Sequence, residues 1–301
     1  MNLRPRRPAR RLAAPAFIGS VAVALLTGCG GASAPNVTLP GTAAPGTAAP
    51  RAEGVLSAGK AIGLAARQAR RVNSYALSLH TRSTGIATEN TSGTMQIRLK
   101  PSLLGEVRLN LSLGGHALPV EEIVTGHALY LKLAALGSAT GKPWIKISDA
   151  GMRHGSGATI SQLLQGIENA NPLAQTTMLT ASKNLHKVGT QVINGVQTTH
   201  YTGSYPISRA FAKVPASLRS MTGPILRSMG IKTVHFNAWI DGQHQVRKII
   251  TTEAGSSTRI TTTIVITAIN QPVSVQLPPA SQVATAPSSL GGGLGGLGGL
   301  G

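Results

Sequence analysis

The chain has 301 residues, of which 42% are hydrophobic and only 3% aromatic, with 28 Lys and Arg against nine acids and a formal net charge of +19. Any core must therefore be aliphatic, and the aromatic platforms on which single-stranded nucleic acid stacks are nearly absent, which excludes nucleic acid as a partner. One cysteine, Cys29, excludes an internal disulfide.

The first segment reads as an export signal. Arg4, Arg6, Arg7, Arg10 and Arg11 form a basic start, and Leu12 to Leu26 form an apolar run shorter than a membrane span. The run ends in Leu26-Thr27-Gly28-Cys29, which resembles the bacterial lipobox. That resemblance implies a covalent diacylglycerol on Cys29, cleavage between Gly28 and Cys29, and a new N-terminus at Cys29. Residues 1–28 would then be removed and the protein held, lipid-anchored and facing outside the cytoplasm, on the outer leaflet of the cytoplasmic membrane. Five of the basic residues leave with the signal, so 23 remain against nine acids, a net +14. For a tethered body this charge either holds the surface against anionic headgroups, at roughly 1 kcal/mol per basic residue near the membrane, or serves as a solvated surface.

Residues 29–53 hold the lipidated Cys and a Gly/Ala/Thr/Pro-rich stretch with the repeat Gly41–Pro45 and Gly46–Pro50, which reads as a flexible tether of roughly 25–30 Å. The domain is expected over residues 54–282, and residues 283–301, ending in Gly-Gly-Leu repeats, as a disordered tail.

Within the domain, Val55 to Asn73 carries a helical stripe of Leu56, Ile62, Leu64, Ala65, Ala69 and Val72. The period then changes to two. Tyr75, Leu77 and Leu79, then Met95, Ile97 and Leu99, then Val107, Leu109, Leu111 and Leu113 alternate with polar residues, as half-buried antiparallel strands do. Further strands are predicted at Glu121 to Thr125, Ala128 to Leu133 and Trp144 to Ile147, the last after the turn Gly141-Lys142-Pro143. Ala158 to Glu168 and Pro172 to Ser182 read as short helices. Leu185 to Ile193 and Val196 to Ser204 form a hairpin about Asn194-Gly195. Ser208 to Met229 reads as a helix broken at Pro215 and Pro224, and Thr233 to Ile240, the turn Asp241-Gly242, Gln245 to Glu253 and Thr258 to Ile269 supply the closing strands.

This pattern predicts an α+β fold, a single large curved antiparallel sheet of about ten or eleven strands in chain-sequential order, with helices covering the concave face. The helices are sparse for the area, and a hollow lined by Leu, Ile, Val and Met suits acyl chains. Alternation places Leu109, Leu111, Leu129, Leu131, Phe236 and Ile264 inward as candidate lipid-cavity residues; ordinary core packing is the other reading of each.

Ser74-Tyr75, Gly93-Thr94-Met95, Glu122 to Gly126 with Leu129 to Lys132, and Gly141 to Lys146 stand in an order that resembles actinobacterial lipoproteins of the LppX/LprA/LprF/LprG group. Val188-Gly189, Thr199-His200-Tyr201, Ala238 to Gly242, Pro272 to Val275 and Pro278-Pro279-Ala280 extend it, so that it covers about Ser74 to Ala280. It implies a LolA-like half-barrel carrying lipid or lipoglycan across the cell envelope in a hydrophobic cavity. No short signature fixes the ligand in that group.

Catalytic chemistry is not expected. Asp149 and Asp241 are the only aspartates, Glu121 and Glu122 point to opposite faces if they lie in a strand, Ser156 sits in the loop-like His154-Gly155-Ser156-Gly157, and the eight His show no ligand spacing. No metal and no cofactor beyond the diacylglycerol are expected. The reading is a monomeric, membrane-anchored lipid carrier; the alternative is an envelope sensor or regulator that binds a protein partner with the same fold.

Overall fold

The computed structural model describes residues 57–85, 89–113, 116–148, 164, 171–173, 176–212, 230–256 and 258–285. The expected signal, Gly28, Cys29, the tether, the Gly/Leu repeats, the loop at Ser156, and most of the predicted helices at Ala158 to Glu168 and Ser208 to Met229 lie outside these residues.

Helix α1 (Ala58–Ala69) starts where the Ser57 side chain accepts the Lys60 N–H at 3.4 Å, and it buries Ala61, Ile62, Ala65, Ala66 and Ala69. Six strands follow: β1 (Ser74–Thr84), β2 (Glu89–Arg98), β3 (Leu104–Leu113), β4 (His116–Thr125), β5 (Leu129–Leu133) and β6 (Trp144–Ile147). Between β5 and β6 lies helix α2 (Ala134–Thr140), closed by Gly141 at φ 68°, whose N–H bonds the Gly137 carbonyl. The sequence reading had no helix here, because six small residues around a single Leu136 carry no apolar period.

Two short helices, α3 (Thr176–Leu179) and α4 (Ile207–Phe211), flank the hairpin β7 (His186–Ile193) and β8 (Val196–Pro206). Asn194 and Gly195 turn it with φ of 48° and 78°, as Asn-Gly predicts. Strands β9 (Thr233–Asp241), β10 (Val246–Ala254) and β11 (Arg259–Ile269) complete the second half. The turn after β9 differs from a two-residue Asp-Gly turn: the positive φ of 58° falls on His244. Asp241 Oδ1 instead accepts the Gln243 and Gln245 N–H groups at 2.9 and 2.8 Å while Oδ2 accepts from Arg247 Nε at 2.7 Å.

The sheet is open and twelve-stranded, in the order β12-β6-β5-β4-β3-β2-β1-β11-β10-β9-β8-β7. Two expectations are corrected. The order is not simply sequential: two meanders, β1 to β6 and β7 to β11, join by antiparallel pairing of β1 with β11, a contact between the domain's ends that no local pattern encodes. And the ordered body passes Gln282, because β12 (Val283–Thr285) pairs in parallel with β6. After β11 the chain crosses toward the far edge as a strap, with Ser74 Oγ donating to the Gln271 carbonyl at 2.6 Å and Gln96 Nε2 to the Ser274 carbonyl at 3.2 Å. Lys142 Nζ donates to the Ser281 carbonyl at its end. Seven interstrand spacings of about 4.8 Å require roughly 34 Å of reach, which thirteen near-extended residues supply.

Register places Gly93 of β2 opposite Leu109 of β3 and Leu79 of β1. A Cβ there would stand 2.1 Å from the Arg108 carbonyl oxygen and 2.8 Å from Leu109 Cδ2, so only glycine admits this approach. Gly93→Ala should lower unfolding stability by roughly 1–3 kcal/mol, since backbone has to move. Gly59→Ala, at an open position of α1, should raise it by roughly 0.5–1 kcal/mol. Urea denaturation of the two variants checks both signs.

Candidate functional site

Strand alternation and register together decide which side chains share the buried face. Pairing runs Leu133, Val120, Leu109, Gly93, Leu79, Ile264, Ile249, Ala238 and Tyr201 in one row from β5 to β8. A second row holds Ile145, Leu131, Glu122, Val107, Met95, Leu77 and Ile266, and a third Ile147, Leu129, Val124, Gly105, Ile97, Tyr75 and Ile269. All six candidate residues, Leu109, Leu111, Leu129, Leu131, Phe236 and Ile264, are buried and stand on this face. They do not form one compact group. Leu109, Leu111, Leu129, Leu131 and Ile264 belong to an apolar cluster with Leu164 and Leu173, whereas Phe236 belongs to a second cluster with α1, Leu179 and Ala210.

The two clusters abut where Ile264 of the first pairs with Ile249 of the second, and a polar row lies beside this junction. Leu111, Thr91, Thr81, Thr262, Thr251, Phe236 and Gly203 make the next row toward one end of the strands, and Thr81 Oγ1 and Thr262 Oγ1 hydrogen-bond at 3.2 Å. Beyond it Ser83, Ile260, Glu253, Val234 and Tyr205 form the last row, one residue in from the strand ends, and half-buried Glu89 at the start of β2 continues it beside Ser83. A β-branched hydroxyl keeps its χ1 restricted and sits well on a pleated face, so the threonines continue the surface while changing its chemistry.

Two carboxyls are buried on this face, one in each meander. Glu122 stands between Leu131 and Val107, and burial pushes its carboxyl up to about 7. Glu253 is pushed up to about 8 by the same desolvation. Its Oε2 has no hydrogen-bond partner, a condition it shares among the described residues with Thr176 Oγ1. Tyr205 is raised by burial first and by the Glu253 charge second. The Tyr75 hydroxyl, also raised by burial, donates to Met95 Sδ at 3.7 Å. The sequence reading separated Glu121 from Glu122 correctly: Glu121 points outward and pairs with Lys132 Nζ at 2.6 Å. It missed Glu253, although the alternation Ile249, Thr251, Glu253 marks that carboxyl as inward.

The opposite face carries polar and ringed groups. His200 stacks on Trp239 at 4.4 Å, Lys248 Nζ stands 4.8 Å from the same ring, and Lys132 and Lys146 lie over Trp144 and Tyr130. Among the described residues no three His, Cys, Asp or Glu side chains gather as a metal site, and no helix is long and apolar enough to cross a membrane.

No family model matches the chain. It is 29% identical over 104 residues to an uncharacterized 31.2 kDa protein from the rplA-rplJ intergenic region of Streptomyces griseus, a match that spans 34% of this chain and 34% of that protein. The fold is similar to that of LprF from Mycobacterium bovis, with 13% identity and a TM-score of 0.44 over 73% of this chain and 96% of that one. It is also similar to that of the lipoprotein LppX of Mycobacterium tuberculosis, with 18% identity and a TM-score of 0.41 over 72% and 98%.

The buried carboxyls set a pH dependence. Below about 4.5, the ordinary carboxyl value, folded and unfolded chains both hold these protons; above it the unfolded chain releases them while the folded chain retains them up to about 7 at Glu122 and about 8 at Glu253. Stability should therefore fall as pH rises through that window, by on the order of a few kcal/mol, and level off above it. Urea midpoints across the window should show this slope, and Glu122→Gln with Glu253→Gln should flatten it.

Proposed function

We propose that this chain is a lipid-binding protein anchored through Cys29 to the outer leaflet of the cytoplasmic membrane, holding lipid or lipoglycan against the buried face of its sheet. The observation that carries this reading is the apolar row that runs from Leu109 through Leu79, Ile264 and Ile249 to Ala238, from one meander into the other across the β1–β11 junction. A face about 50 Å wide at roughly 4.8 Å per strand is broader than short helices fill by close packing; a 12-residue helix such as α1 is only about 18 Å long. Lipid chains complete such a surface without needing fixed polar partners. The acyl chains on Cys29, at about 0.8 kcal/mol per buried methylene, keep the body beside the bilayer that supplies its ligand. The role is carriage rather than catalysis, with no cofactor besides the covalent lipid.

A second reading, an envelope protein that holds a protein partner, is favoured by the edge strand β7, where Val188 and Val192 are 58% and 57% exposed. One experiment separates the two. Full-length protein purified from its own host and extracted with organic solvent should yield about one lipid per chain by mass spectrometry; a consistently empty chain contradicts carriage and leaves the partner-binding reading. Cys29→Ala should move the protein from the membrane to the soluble fraction, and unchanged membrane retention contradicts the anchor.

A further inference from the structure

The buried face is not uniform along the strands, and its polar part is gathered at one rim. On β1 the inward residues run Tyr75, Leu77, Leu79, then Thr81 and Ser83. On β11 they run Ile269, Ile266, Ile264, then Thr262, and on β10 Ile249, Thr251, Glu253. Glu253 of β10, Ser83 of β1 and Tyr205 of β8 each lie one residue from the end of their strand, at the same rim. From Leu79 to Tyr75 the apolar path along β1 is four residues, roughly 14 Å at about 3.4 Å each. One leaflet of bilayer hydrocarbon is about 15 Å deep, so an acyl chain whose polar end sits at this rim meets apolar surface of about that depth beyond the threonine row.

A buried polar atom without a partner costs free energy unless something else satisfies it. Glu253 Oε2 is such an atom, in a side chain nine-tenths buried, and nothing in its row bonds it: Ile260 and Val234 are its direct cross-strand neighbours. Burial keeps this carboxyl protonated at neutral pH, so it offers one O–H donor and acceptor oxygens together. Ser83 and the Tyr205 hydroxyl, each two strands from Glu253 in its row, can both donate and accept, and Thr262, bonded to Thr81, keeps part of that capacity in the adjacent row. No Lys or Arg stands in either polar row.

Resting on the lipid-binding reading, we propose that Glu253, with Ser83, Thr262 and Tyr205, forms the binding site for the polar end of the ligand, and that this end is an uncharged hydroxyl-bearing group such as a glycerol or sugar rather than a phosphate. Hydroxyls both donate to and accept from this set. A phosphate brings acceptor oxygens and negative charge to a row that holds two carboxyls, Glu253 and the Glu89 beside Ser83, and no Lys or Arg, and it meets desolvation without compensation.

The test is displacement of diphenylhexatriene from the full-length chain by two lipids with the same oleoyl tail, monoolein and oleoyl lysophosphatidic acid. Monoolein should compete at least about tenfold more tightly, which corresponds to about 1.4 kcal/mol. In Glu253→Leu the ratio should fall to within about twofold of one, a preference loss on the scale of one hydrogen bond. This variant removes an unpartnered buried carboxyl, so its Tm should equal or exceed that of the unsubstituted protein. A ratio at or below one in the unsubstituted protein overturns the inference without any variant, and so does a ratio that survives Glu253→Leu. Failure of the chain to take up diphenylhexatriene or either lipid overturns the lipid-binding reading itself, a result distinct from binding without preference.

Discussion

Leu79 of β1 lies between Gly93 of β2 and Ile264 of β11, and that contact joins the two halves of the molecule. Everything else depends on the pairing that makes it. Because side chains alternate strictly along a strand, fixing the β1–β11 register fixes which residues of both meanders share a face. A slip by one residue would turn the aliphatic rows to the solvent face and bring His80, Arg82 and Arg259 inward. Each large aliphatic side chain held inside contributes roughly 1.5–3 kcal/mol, so the register is enforced by dozens of such groups at once.

The same alternation governs the chemistry of the site. Burial that rewards Leu131 and Val107 penalises the charge of Glu122 beside them, and the row of Thr91, Thr81 and Thr262 bounds the apolar lining toward one rim. A fold organised only for stability gains nothing from two buried carboxyls in otherwise aliphatic rows, since apolar residues of similar volume serve at least as well. On the proposed lipid-binding reading, these carboxyls give the inner face polar positions for a ligand with both apolar and polar parts.

Much of this was legible in the sequence because period-two alternation is a local signal. The strands from β1 to β11, the Asn194-Gly195 turn and the inward positions of Leu109, Leu129, Leu131 and Ile264 all follow from it. What escaped was non-local or patternless. The β1–β11 pair joins residues nearly 200 positions apart, β12 reaches β6 through a strap with no strand of its own, and α2 has one leucine among small residues, which makes no stripe. Glu253 carries the alternation of Ile249 and Thr251, but a charged residue near a strand end reads as solvent-facing until register shows Ile260 and Val234 on either side.

The central claim is that the inner face, and not the outer one, meets the apolar part of the ligand. Methyl NMR with a spin-labelled fatty acid measures this directly, because a nitroxide on the chain broadens methyls near it. The δ1 methyls of Ile264, Ile266 and Ile145, which stand on the inner face, should broaden strongly. Ile123, equally buried but in register with outward-facing Glu106 and Tyr130, should stay sharp. Equal broadening of Ile123, or none at the three inner positions, would contradict the account.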